Sequence, residues 1–173
     1  MGDFVKGRDF SGLPDELVRH LKLHRHIDTF TSHSDAFQRS RRRIDSRLRY
    51  ARGVIIDVFY DHFLACQWDE YHHIPLSDFS QQVYLGLQSC YSTLSPGLQQ
   101  QLPRMVEYDW LTSYRDTHVV RRVLVRLEER IGHKFPLAEG FPELERYRPQ
   151  LETDFSDFMT SASDIVREWK SFN

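Results

Sequence analysis

The sequence predicts an all-α protein, on three observations. Apolar residues recur at helical spacing along most of the chain. No stretch alternates apolar and polar residues for the length of a strand. Proline and glycine fall mainly between the periodic stretches. With 173 residues, 40% hydrophobic and 13% aromatic, the chain suffices for one compact helical domain over 1–173, built of about six or seven helices. Leu13-Pro14-Asp15-Glu16 opens the first helix, with proline near the first turn and acids at the positive end of the dipole. Leu17, Leu21, His24 and Asp28 follow at spacings of 4, 3 and 4, so His24 and Asp28 are expected to continue the apolar seam. Residues 32–50 form a second helical stretch, highly charged, anchored by Phe37, Ile44 and Leu48. Residues 53–70 form the strongest core helix, apolar nearly all round yet carrying Asp57 and Asp61. After Pro75 a helix runs to Ser92 with Phe79, Val83, Leu87 and Tyr91 on one face. Leu98 to Tyr114 and Thr117 to Arg130 are two further helices, and Gly132 to Pro142 is irregular. The last helix spans 143–170, with Pro149 marking a kink or its true start.

Bulk properties remove several classes of function. The formal net charge of -2 gives no global attraction to nucleic acid. No apolar run approaches the roughly 20 residues of a membrane span, and no signal peptide is visible, so the cytoplasm is the expected compartment. Cys66 and Cys90 match no zinc or disulfide spacing and read as core thiols.

Two clusters carry the chemistry: Leu23-His24-Arg25-His26-Ile27-Asp28 and Asp57-Val58-Phe59-Tyr60-Asp61-His62-Phe63-Leu64. Residues four apart on a helix lie one above the other, which pairs His24 with Asp28 and Asp57 with Asp61. Carboxylates set among apolar residues must be paired, hydrogen-bonded or bound to metal. Convergent Asp and His without thiolates favour manganese, magnesium, iron or zinc. A subset of His24, Asp28, Asp61 and His62 is therefore the expected metal shell, with Asp3 or Asp57 completing or orienting it. Arg25, beside His24, is placed to hold a phosphate oxygen. The competing reading leaves Asp57 as a cap or an ion-pair partner and His24 as a core histidine.

Seven arginines, Arg39, Arg41, Arg42, Arg43, Arg47, Arg49 and Arg52, crowd one stretch in which Asp45 is the only acid. Such a local patch suits an acidic protein partner or a phosphate-bearing substrate. Nucleic acid is disfavoured, because no recognised motif and no overall basic charge accompany it.

At these residues the chain resembles the acyl carrier protein phosphodiesterase family. The matching segments are Gly2-Asp3-Phe4-Val5-Lys6-Gly7, the two clusters above, Trp68, Tyr108-Asp109-Trp110-Leu111 and Tyr114-Arg115-Asp116. The resemblance implies an all-helical fold akin to the HD phosphohydrolases and a place in lipid metabolism. It implies manganese-dependent hydrolysis of the phosphodiester between 4'-phosphopantetheine and a serine of holo-acyl carrier protein. Asp3 matches the family's essential aspartate, so Asp3, Arg25, Asp57 and Asp61 are the expected catalytic residues. The carrier is acidic, which suits the arginine stretch as its docking surface. Family members usually begin with a further helical segment of about twenty residues. The chain is expected to lack that helix, and the core surface so exposed would promote self-association. Two other readings remain: an HD-type nucleotide phosphohydrolase, and an inactive module that binds an acidic protein or nucleic acid.

Overall fold

The computed structural model describes residues 15–172, so Asp3 and its segment lie outside the described residues. All regular structure in that range is helical, in ten α-helices and three short 3-10 turns. The all-α expectation holds. The helix number exceeds the expected six or seven because long stretches are interrupted at positions with identifiable local chemistry.

Chain contacts divide the structure into two compact units, one running to Ser40 and resuming at Pro149, the other spanning Arg41–Arg148. The first unit is built on α1 (Asp15–His33), the start of α2 (Asp35–Arg43) and most of α10 (Arg148–Phe172). The buried hydroxyl of Ser34 accepts from the backbone N–H of Phe37 at 3.4 Å, which caps α2. Leu21, Ala36, Phe37, Leu151 and Phe155 are buried. Phe158 stacks on Phe30 at 5.3 Å between centroids and tilts against Phe37 at 6.3 Å. At this core's edge Asp154 is 2% exposed. It accepts from Arg39 Nε at 2.9 Å and from Ser40 Oγ at 3.1 Å, while Arg39 Nη2 also bonds Asp157. A buried carboxylate needs such partners. Arg39, one of the arginines expected on the docking surface, thus ties α2 to α10 while its side chain stays 41% exposed.

The second unit contains α3 (Arg52–Cys66), α4 (Trp68–Tyr71), α5 (Leu76–Ser89), α6 (Pro96–Glu107), α7 (Trp110–Ser113), α8 (Thr117–Arg130) and α9 (Phe141–Arg146). Helix α3 packs on α8, α5 packs on α6 and α7, and a 3-10 turn at Ala138–Gly140 packs on α8 and α9. Ile55, Ile56, Phe59 and Phe63 of α3 are fully buried, as are Val120, Leu124, Leu137 and Leu144. Gly140 lies so close to Ile55 that a Cβ there would stand 3.0 Å from Ile55 Cγ1, tighter than ordinary packing.

Three expected helices end early. The stretch 32–50 stops at Arg43, and Asp45 then starts a 3-10 turn by accepting from the Arg47 N–H at 2.8 Å. The stretch 53–70 divides at Gln67, whose N–H closes α3 on Phe63. The stretch 98–114 divides at Asp109, which adopts φ 40° and ψ 65°. On helix α5 the expected Phe79, Val83 and Leu87 are half-buried, with Phe79 packed on Trp68 at 4.7 Å between ring centroids, and a neighbouring line is buried more deeply. Leu76, Ser80 and Tyr84 are its buried line, while Tyr91 is exposed. The Tyr84 phenol is drawn inward because it donates to Asp109 at 3.1 Å and accepts from the Leu111 N–H at 3.0 Å. Pro149 stands in the first turn of α10, where its missing N–H leaves no bond unmade, so it marks a start. Among the described residues no helix is long and apolar enough to cross a membrane.

Candidate active site

Helix α3 buries Ile55, Ile56, Val58, Phe59, Tyr60, His62, Phe63 and Ala65. That leaves Val54, Asp57 and Asp61, at spacings of 3 and 4, as its open stripe. Asp61 retains solvent-accessible area on that stripe. Its carboxyl is nevertheless hemmed in by protein on its other sides. Burial, and then the charge of Asp57, push its pKa from 3.8 up to about 7. Such a carboxyl holds a proton, or attracts a cation, near neutral pH.

Tyr114 connects two parts of this site. Burial first, and the nearby Asp61 charge second, raise the pKa of its phenol, which keeps its proton at neutral pH. Its backbone carbonyl takes a hydrogen bond from His62 Nδ1 at 2.7 Å. A carbonyl can only accept, so Nδ1 carries the hydrogen and Nε2 holds the lone pair. His62 is 2% exposed, and its Nε2 faces Arg148 Nη2 at 3.4 Å. The Arg148 guanidinium lies 5.8 Å from the Phe63 ring centroid. Arg115 closes the end of α3 by donating from Nε to the Ala65 carbonyl at 2.8 Å. Cys66, expected as a core thiol, is exposed, and its sulfur lies 3.8 Å from the Arg115 carbonyl oxygen.

The α1 cluster behaves differently from expectation. His24 donates from Nδ1 to Asp28 Oδ2 at 2.8 Å, and both residues are exposed, at 43% and 61% of their side chains. They do not continue a buried seam. The i, i+4 spacing is satisfied by the pair itself, and the apolar face of α1 includes the buried Leu21. Arg25 is half-buried on the same helix. These residues belong to the first unit, and Asp57, Asp61 and His62 to the second.

Sequence reasoning gave no role to Tyr114 or Arg148. Tyr114 stood in a matching segment, Tyr114-Arg115-Asp116, with nothing to say what it touched. Arg148 lies 86 residues from His62, and no local pattern reports a contact of that separation. Of the arginine stretch, Arg47 pairs with Asp45 at 2.8 Å. Arg52 donates to the Asp45 carbonyl at 3.1 Å. Arg42 and Arg49 are exposed, and Arg49 lies 5.5 Å over the Tyr50 ring.

A metal was expected here. Among the described residues no group of three or more His, Cys, Asp or Glu side chains stands together as a complete ligand set. The donor chemistry of Asp57 and Asp61 does fit a hard divalent ion: two carboxylates one helical turn apart repel each other, and a cation relieves both. His62 fits less well, since its lone pair faces a guanidinium.

A carboxyl held near neutrality on a helical scaffold, beside a protonated phenol, is the kind of group that enzymes use. A family model described as acyl carrier protein phosphodiesterase matches residues 1–162, and the chain belongs to that family of hydrolases. Similar proteins of that name occur in Escherichia coli O6:H1, in Klebsiella pneumoniae and in Pectobacterium atrosepticum. The first is 26% identical over 168 residues, covering 91% of this chain and 82% of the relative. The second is 28% identical over 166 residues, with the same coverage. The third is 26% identical over 175 residues, covering 96% and 87%. No solved structure matches the chain.

Proposed function

We propose that this protein hydrolyses the phosphodiester joining 4'-phosphopantetheine to a serine of holo-acyl carrier protein, releasing apo-carrier and 4'-phosphopantetheine. Membership of the family supports the substrate. The observation that carries the chemistry is Asp61, a carboxyl raised to about 7 on the open face of α3 beside Asp57. A phosphodiester brings negative charge, and two ionised carboxylates would repel it, so a proton or cation must occupy this pair during binding.

Asp57 and Asp61 are the residues we assign to hold a divalent ion, with Mn2+ the expected one and Mg2+, Fe2+ or Zn2+ of compatible chemistry. When bound, such an ion supplies Lewis-acid charge to the phosphoryl group. The chain's own residues do the rest. Tyr114 keeps its proton and donates a hydrogen bond to a phosphoryl oxygen beside Asp61. Arg148, lying against the lone pair of His62, brings positive charge to the second unit's site for a non-bridging oxygen. His62 cannot rotate without breaking its bond to Tyr114, so it positions Arg148. Asp3, outside the described residues, keeps the essential role that the family resemblance implies.

The test is intact mass spectrometry of holo-carrier incubated with the protein and manganese, beside a metal-free control. Metal-dependent loss of the phosphopantetheine mass, with the free prosthetic group recovered, is the expected result. An unchanged carrier, with hydrolysis of nucleotides instead, would replace this reading by the nucleotide phosphohydrolase.

A further inference from the structure

An enzyme acting on a phosphodiester borne at a protein's surface must dock that protein beside its reactive groups. The scissile bond cannot travel far from the body that carries it. The docking surface therefore falls within one interface footprint of Asp61. A standard footprint is about 800 Å² per partner, a disc of roughly 16 Å radius.

At the start of the stripe that leads to Asp61 stands an exposed aromatic pair. Tyr50, 71% exposed, stands just before α3, and Phe135, 37% exposed, reaches it from the loop after α8. Their ring centroids are 5.7 Å apart. Arg49 extends over the outer tyrosine. Val54, 39% exposed, follows about one turn later and starts the stripe that continues to Asp57 and Asp61. From Val54 to Asp61 is seven residues, or about 10 Å along the helix. Two large aromatics from distant parts of the chain thus meet at the surface, their rings tilted by 41°, where burial in a core would be expected. Tyrosine, phenylalanine and arginine together form the composition of interface centres.

We propose that Tyr50, Phe135 and Val54 form the apolar centre of the surface that docks the protein carrying the phosphodiester. The partner face that fits this surface has apolar residues at its middle and acidic groups beside them, which Arg49, over the Tyr50 ring, would meet at the rim. This inference rests on the hydrolase reading for the partner's identity. It moves the centre of docking from the arginine stretch as a whole to an aromatic pair, since Arg39 and Arg47 are held by acids of their own chain. The rim charges set salt dependence and encounter rate, and the aromatics set residence time.

The experiment compares the parent with Tyr50→Asp and with Tyr50→Ala, on holo-carrier and on a short phosphopantetheinyl-serine peptide. Tyr50 is too exposed for either change to unfold the chain, and circular dichroism would verify this. Both variants are expected to raise KM for the carrier at least tenfold, leaving its kcat and the peptide's turnover at parent values. Calorimetric titration of carrier into the same variants gives a reading independent of turnover, and the expected outcome is a tenfold or greater loss of affinity. Unchanged KM and unchanged affinity would overturn the docking assignment while leaving the hydrolase reading intact. Parent protein that binds carrier through Tyr50 but never cleaves it would do the reverse, sustaining the surface and removing the hydrolase.

Discussion

Asp61 shows how one side chain can bear on stability and function with opposite sign. Between the ordinary carboxyl value of 3.8 and about 7, the folded chain holds a proton that the unfolded chain has released. Stability therefore falls as pH rises across that window and stays lower above it. Asp61→Asn is expected to raise the melting temperature at pH 8 and leave it nearly unchanged at pH 4. The same substitution should reduce turnover of holo-carrier by about 10²–10⁴-fold, the range for a positioned ionisable group, and abolish manganese binding seen calorimetrically. Parent-level turnover in that variant would remove Asp61 from the site. Asp154 illustrates the opposite case. Its buried carboxylate depends on Arg39 and Ser40, so Arg39→Ala leaves charge buried without its partner. We expect a loss of about 2–3 kcal/mol in urea unfolding, below the ~3–5 kcal/mol of a fully buried pair because Arg39 is partly exposed. At this scale the sequence was only partly legible. The i, i+4 rule paired His24 with Asp28 and Asp57 with Asp61, and both pairs interact. It could not say which pair was crowded, because crowding comes from residues remote in sequence, such as Tyr114 beside Asp61.

At the scale of elements, Asp109 governs how the chain leaves α6 and enters α7. A non-glycine residue at φ 40° is strained. Here the strain is offset because the same carboxylate accepts from the Thr112 N–H and from Tyr84. Burial opposes ionisation of Asp109, but hydrogen bonds from Thr112, Ser80 and Tyr84 prevail and hold its pKa below the ordinary value. Its contribution is thus present above the usual carboxyl range and is lost as pH falls through the lowered pKa. Asp109→Ala loses both cap and backbone tolerance and should cost about 1–3 kcal/mol. Asp109→Gly should cost less, since glycine accepts the left-handed backbone. Equal losses in denaturant melts would mean that the cap alone matters. Periodicity revealed where helices lie, including α5 from Pro75 and α8 over Thr117–Arg130. It missed the break at Asp109 because Tyr108-Asp109-Trp110 carries no glycine or proline to announce one. It also left Tyr84 out of the packed face of α5, since Tyr84 is drawn inward by hydrogen bonds that hydropathy does not record.

At the scale of the molecule, the two units differ in how the chain supplies them. Arg41–Arg148 is one continuous run, while the first unit joins residues before Ser40 to residues after Pro149. Contacts close in sequence form sooner than distant ones, because less chain entropy is lost in closing the loop. Pulse-labelled hydrogen exchange during refolding should therefore protect α3 and α8 before α1 and α10. Simultaneous protection of all four would contradict this order. The all-helical class is legible in the apolar periodicity, whereas this division is not, since it depends on which distant helices pack together. The discontinuity also has a consequence on the ribosome. As synthesis proceeds, α1 and α2 emerge early with their apolar faces uncovered, and Leu151, Phe155 and Phe158 are still to be translated. Asp154 likewise follows Arg39 by 115 residues. Until those residues are made, a nascent chain exposes the Phe30 and Phe37 surface, a window in which a chaperone that binds aromatic segments would find its target.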